Sequence, residues 1–177
     1  MATEPPSLNA LQATDSESFF VLSHVMEGLA QYNQHGELVP GVAERWQFDA
    51  DGATFWLRSD ARWSDGEAVT AEQFVYAWQE ALDPANGAPY ASILYPLRHA
   101  RAINTGQLPK TALAVRALDA RTLRLEFERP CPYFLGLTAF ATYYPRRPDI
   151  VAQFGERYAA EVDTMVYNGP YRLSRWV

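Results

Sequence analysis

The run Trp63-Ser64-Asp65-Gly66, followed by Val69-Thr70-Ala71-Glu72-Gln73-Phe74-Val75-Tyr76-Ala77-Trp78, constrains the fold of this 177-residue chain more than any other stretch. Ser-Asp-Gly makes a tight turn, because glycine takes a positive φ at little cost and aspartate hydrogen-bonds its own backbone. Thr70 stands three residues before Gln73, the spacing of a capping box that opens a helix. Phe74, Ala77, Trp78 and Ala81 then recur at helical spacing and give that helix one apolar face. The stretch predicts a strand end, a turn and a capped amphipathic helix.

Period-two patterns supply the β half of the reading. Thr122-Leu123-Arg124-Leu125-Glu126-Phe127 alternates cleanly, and with Val115 and Ala117 across Leu118-Asp119-Ala120-Arg121 it predicts a hairpin. A second hairpin is predicted where Trp46–Phe48 and Ala53–Leu57 flank Asp49-Ala50-Asp51-Gly52. A first helix, capped by Asp15 or Ser16, carries Phe19, Leu22, Val25, Met26 and Leu29 on one side, with Gly28 near its end. Asn33-Gln34-His35-Gly36 reads as a turn between short extended pieces. Asp83-Pro84 stops the helix that begins after Thr70, and residues 90–106 read as one or two short helices broken at Pro96. Residues 149–158 read as helical, and Asn168-Gly169 as a turn before a last strand over 171–177. The fold class expected is α+β.

Composition narrows the function. With 48% hydrophobic and 20% charged residues the chain is globular in character. A net charge of −6 argues against nucleic acid or an anionic membrane surface as partner. The longest wholly apolar run near the start, Phe19-Phe20-Val21-Leu22, is too short for a membrane span or a signal-peptide core.

No arrangement suited to catalysis emerges. His24, His35 and His99 have no metal-type spacing with one another or with Cys131, so no metal or cofactor is expected. Cys131 has no neighbouring His or Lys to lower its pKa, and Ser64 lacks the frame of a nucleophile elbow. Asp49-Ala50-Asp51-Gly52 begins like a calcium loop, but Thr54 and Asp60 stand where glycine and glutamate are required. Arg146-Arg147 reads as a solvated basic pair, with carboxylate binding as its alternative. Trp46, Trp56, Trp63 and Trp78, at strand ends and on a helix face, read as packing residues.

The tryptophan-containing run nevertheless resembles a signature, W-S-D-G-x-x-V-T-A-x-x-F-V-Y-x-W, of the extracytoplasmic oligopeptide-binding proteins of bacterial ABC importers. The likeness continues in order through Glu27-Gly28-Leu29, Pro40-Gly41-Val42-Ala43-Glu44-Arg45-Trp46, Asp83-Pro84, Pro89-Tyr90-Ala91-Ser92, Pro130-Cys131-Pro132-Tyr133-Phe134 and Asn168-Gly169-Pro170-Tyr171. It implies a partial periplasmic-binding-protein-like type II architecture, one lobe only. In that layout residues 28–145 form a small α+β subdomain, while 1–27 and 146–177 belong to a split larger domain. The resemblance also implies an exported protein whose signal peptide is absent here, an oligopeptide ligand, and an ABC permease as membrane partner. An unpaired edge at the final strand implies self-association of a truncated chain.

Two places qualify as ligand contacts. The resemblance puts the tyrosine of Pro-Tyr-Ala-Ser, here Tyr90, in the peptide cleft; the alternative is a half-buried tyrosine at a helix start. It also puts Thr14, Asp15 and Ser16 against peptide main chain, where an N-cap role for Asp15 or Ser16 is equally compatible with the residues. A rival class is an enzyme that processes peptides or glycans on its aromatic surface; a third is a folding or interaction unit.

Overall fold

The computed structural model describes residues 4–176. Helix α1 (Ser16–Val25) starts where the Asp15 carboxylate accepts the Ser18 N–H at 2.8 Å, and it buries Val21, Leu22 and Val25. It is shorter than the apolar spacing predicts. Met26 is already extended, so Met26 and Leu29 enter the core from the chain that follows, and Gly28 lies beyond the helix.

Strands β1 (Ala30–Tyr32) and β2 (Leu38–Pro40) pair across the Asn33–Gly36 turn. There Asn33 Oδ1 accepts the N–H groups of His35 and Glu37, and Gly36 takes φ +75°.

The two predicted hairpins are present as β3 (Ala43–Phe48) with β4 (Gly52–Leu57), and β5 (Val115–Asp119) with β6 (Thr122–Glu126). They merge into one antiparallel sheet of order β3-β4-β6-β5, because β4 pairs with β6. Phe55 faces Leu123 and Ala53 faces Leu125, all buried, while the alternate residues Thr54 and Arg124 pair on the other face. Period two thus yields one wet face and one face available for packing.

Helix α2 (Ala71–Leu82) covers that face, lying across β5 with Phe74, Ala77, Trp78 and Ala81 fully buried. Gln73 fixes its start: Oε1 accepts both the Thr70 N–H and the Trp63 indole N–H at 2.9 Å. Short helices α3 (Ala100–Asn104) and α4 (Phe134–Leu137) and 3-10 turns over Ala91–Leu94 and Ala141–Tyr143 complete the layer. Trp78 reaches Tyr143 in two ways. The rings meet edge-on at 5.2 Å, and the indole N–H donates to the Tyr143 carbonyl at 3.0 Å.

After Tyr144 the chain crosses back. Helix α5 (Pro148–Phe154) opens this return, which ends against α1 and the Trp-Ser-Asp-Gly turn. Ser64 donates its N–H to the Tyr167 carbonyl at 2.7 Å and accepts the Tyr167 N–H on Oγ at 3.1 Å. The Asn168 side chain both accepts from the Glu27 N–H and donates to the Glu27 carbonyl. Gly169 is required here: a Cβ would lie 2.6 Å from the backbone carbon of Val25.

Two expectations are corrected. Residues 171–176 form no strand; among the described residues Tyr171 makes one backbone bond, to the His24 carbonyl, and no neighbouring strand pairs with this backbone. The Arg146-Arg147 pair is not solvated. Arg146 is only 6% exposed, its guanidinium lying 4.7 Å from the Tyr158 ring centre. Arg147 grips Asp149 through two bonds of 2.8 and 2.6 Å and reaches Asp65 at 2.9 Å, tying the return segment to the turn.

Trp78→Ala should cost about 3–5 kcal/mol, as a fully buried aromatic ring does; a denaturant titration giving less than about 1 kcal/mol would remove Trp78 from the core. Arg147 holds the Asp149 carboxyl below its ordinary value. That stabilisation is complete above the ordinary carboxylate pKa and is lost as pH falls through the lowered, folded value. Asp149→Asn should therefore lose less melting temperature than the parent chain between about pH 7 and pH 3, and equal losses would discount the pair.

Candidate functional site

Three rings from separate parts of the chain meet beside the start of α1. Tyr90 stands at the head of the 3-10 turn Ala91–Leu94, its ring 5.8 Å from Phe19 and 5.6 Å, edge-on, from Phe140. Phe19 and Phe140 are themselves 5.0 Å apart. Tyr90 remains 37% exposed, and its hydroxyl has no hydrogen-bond partner among the described residues. The ring is held by two neighbours while its hydroxyl has no partner among the described residues, the arrangement that lets a tyrosine contribute apolar area and a hydrogen bond at small entropic cost.

Phe19 lies one turn into α1, so the cluster sets Tyr90 next to the segment leading into that helix. Leu8, Leu11 and Ala13 are buried and pin this segment, and Gln12 Nε2 donates to the Asn86 carbonyl at 2.7 Å. Thr14 is exposed, and neither its N–H nor its carbonyl has a backbone partner among the described residues. The Asp15 and Ser16 side chains are already engaged. Asp15 Oδ1 and Oδ2 accept the N–H and Oγ–H of Ser18, which lowers the carboxyl pKa, and Ser16 Oγ donates to Glu17 Oε2. Besides the Thr14 hydroxyl, the free groups are the Thr14 main-chain N–H and carbonyl, able to pair with an extended chain without reading its side chains.

The structure thus brings Tyr90 and the Thr14–Ser16 segment to one side of the molecule. Sequence reasoning did not find Phe140, which carries no signal of its own, and placed Phe19 only on a helix face. It also missed an outward stripe along α1 and the return segment. Phe20 and Tyr171 are 58% and 65% exposed, with the His24 ring between them at 4.6 and 6.3 Å. Elsewhere, burial raises the Cys131 thiol pKa, away from the thiolate form.

Residues 37–177 match the family of bacterial extracellular solute-binding proteins, family 5. The chain belongs to that family. This family 5 chain is 40% identical over 176 residues to the oligopeptide-binding protein OppA of Bacillus subtilis, covering 98% of itself and 32% of that protein. To the periplasmic murein peptide-binding protein MppA of Escherichia coli it is 36% identical, over 98% of itself and 33% of that relative. Among solved structures, the substrate-binding domain of an oligopeptide ABC transporter from Bacillus anthracis superposes with a TM-score of 0.98 at 41% identity, over the whole chain and 35% of that structure. Listeria monocytogenes OppA bound to peptide gives 0.96 at 31% identity, over 99% of the chain and 35% of that structure. The chain therefore spans about a third of the relatives it matches, and its fold is part of a type II periplasmic-binding-protein-like architecture.

Proposed function

We propose that this chain is the amino-terminal portion of an extracytoplasmic oligopeptide receptor that captures peptide for an ABC importer without chemical change. The observation that carries the reading is the junction of Tyr90, backed by Phe19 and Phe140, with unpaired main chain at Thr14. Relatives named for oligopeptide and murein-peptide binding, and a solved relative that holds peptide, support peptide as the ligand class. In this reading the Tyr90 ring and hydroxyl contact the bound peptide, and the Thr14–Ser16 backbone pairs with its main chain. A second lobe, contributed by the rest of the protein, closes over the ligand by hinge bending, and the membrane permease receives it.

The domain layout follows the same reading. Residues 28–145 form a small subdomain that holds the sheet and α2. Residues 1–27 and 146–177 form part of a split larger domain, supported by the bonds that join the flanks to each other: Leu8 to Ala159, Glu27 to Asn168 and Val25 to Gly169. The outward stripe Phe20, His24 and Tyr171 is then a surface for the remainder of that domain.

In the complete receptor, Tyr90→Ala should weaken peptide binding roughly ten-fold or more, as loss of a stacking ring and one hydrogen bond does. Tyr90→Phe keeps the ring cluster and should retain most of the melting temperature while losing the hydroxyl share. Calorimetry showing unchanged affinity in both variants would return Tyr90 to a purely structural role. The chain alone should self-associate through the aromatic stripe, because exposed apolar patches are relieved by a second copy. Phe20→Glu with Tyr171→Glu should shift it toward monomer in light scattering; a parent chain that stays monomeric at high concentration would refute this.

A further inference from the structure

The 3-10 turn after Tyr90 has a second outward side. Ser92 and Ile93 face an open groove of about 930 Å³ that Tyr90 does not line, its ring being turned to Phe19 and Phe140. Arg101, from α3, and Arg129, just past β6, both line this groove and are exposed. Neither guanidinium has an ion pair or side-chain hydrogen bond among the described residues. Arg58, Arg98, Arg116, Arg124, Arg147 and Arg157 each hold a carboxylate, whereas the exposed Arg121, Arg172 and Arg175 are likewise unpaired among the described residues but do not line this groove.

Glu128 lies in the same groove, but its Oε2 accepts the His99 N–H at 3.2 Å, fixing the backbone of a residue held at φ +70°. A non-glycine residue in that conformation needs such support. The carboxylate is thus tied to a backbone N–H of the lining, and two arginines against one carboxylate leave the groove net positive. Ile93 and Leu137 give the walls apolar surface, and the Tyr133 ring stands at the rim, 64% exposed.

Two unpaired arginines beside an exposed tyrosine are the residue types that dominate the binding energy of protein interfaces. The chain carries a net charge of −6, so a negatively charged partner is repelled overall, while the two arginines of the groove offer it local attraction. At about 930 Å³ the groove stands at the upper end of the range of small-molecule pockets, and it is open to solvent rather than enclosed, which favours an extended chain over an enclosed ligand.

We propose that this groove is a second binding site, separate from the one beside Tyr90, for an acidic extended segment of another protein. Arg101 and Arg129 hold its carboxylates, and Tyr133 packs on its apolar side chains. The proposal does not depend on the peptide-receptor reading, since no residue is shared with the Tyr90 site.

The test uses a fluorescent, end-blocked hexapeptide alternating Glu and Leu, titrated against the chain, with the Lys–Leu counterpart as control. The acidic peptide should bind, and the basic one should not. Affinity should fall at least roughly ten-fold in the Arg101→Ala, Arg129→Ala double variant, and with a rise from about 50 to about 500 mM salt. Circular dichroism melts of the double variant check that both exposed positions tolerate the change, and Arg101→Lys with Arg129→Lys should restore part of the binding. Tyr90→Ala should leave it unaltered. No binding of the acidic peptide, equal binding of both peptides, or indifference to the arginine variants would overturn the proposal. Loss of binding in Tyr90→Ala would place the peptide beside Tyr90 instead. Equal affinity for inorganic phosphate alone would reduce the groove to a free anion site and also overturn it.

Discussion

A column of aromatic rings joins the sheet to the helix that covers it, and the rest of the chain is arranged around this contact. Phe127 meets Phe134 at 4.9 Å, Phe134 meets Phe55 at 6.5 Å and Tyr143 at 5.6 Å, and Tyr143 meets Trp78 at 5.2 Å. The rings come from β4, the end of β6, α4, the turn before the crossing and α2. Two of them carry polar atoms, and both are satisfied: Trp78 by the Tyr143 carbonyl, Tyr143 by the Ile93 carbonyl at 2.8 Å. A buried donor left unpaired costs more than its bond returns, so the ring column also sets where residues 93 and 143 must run. Phe134 anchors α4, a helix of only four residues that packing, not propensity, must hold.

Features encoded over short distances were legible. The Trp-Ser-Asp-Gly turn, the α2 start at Thr70, its buried face and both hairpins rest on caps, turn residues and periodicity, which act within a few residues. Pairing of β4 with β6 was not legible, because nothing in either hairpin names its partner across more than sixty intervening positions; only a shared apolar face and the covering helix select it. Arg146 and Arg147 misled for a related reason. Two adjacent arginines read as solvated until tertiary contacts supply a tyrosine face for one and two carboxylates for the other.

The site divides in the same manner. Asp15 as a helix cap follows from local chemistry. Tyr90 was singled out by a family likeness, and no local rule distinguishes it from the other tyrosines. What gives it a defined setting is the pair of phenylalanines behind it, one from α1 and one from the loop after α4. A rigid ring presented from a packed cluster recognises ligands better than a mobile one, because less freedom is lost on binding. The main chain at Thr14 is rigid for a similar reason, pinned on one side by buried leucines and on the other by the capped helix.

The clip between Asn168 and Glu27 spans 141 positions of chain. Closing so long a loop from an open chain carries an entropic cost that grows with the logarithm of its length, and contacts of this kind slow folding when they must form first. The geometry provides a shorter route. Gly28 lies against the Tyr144 ring, so the points where the chain enters and leaves the sheet-bearing body are neighbours. Once that body has condensed on its ring column, the separation between the two flanks is no longer 141 residues but the short distance across its base. The flanks can then meet as tethered segments, so that Asn168 and Gly169 close a short gap rather than a loop of 141 residues.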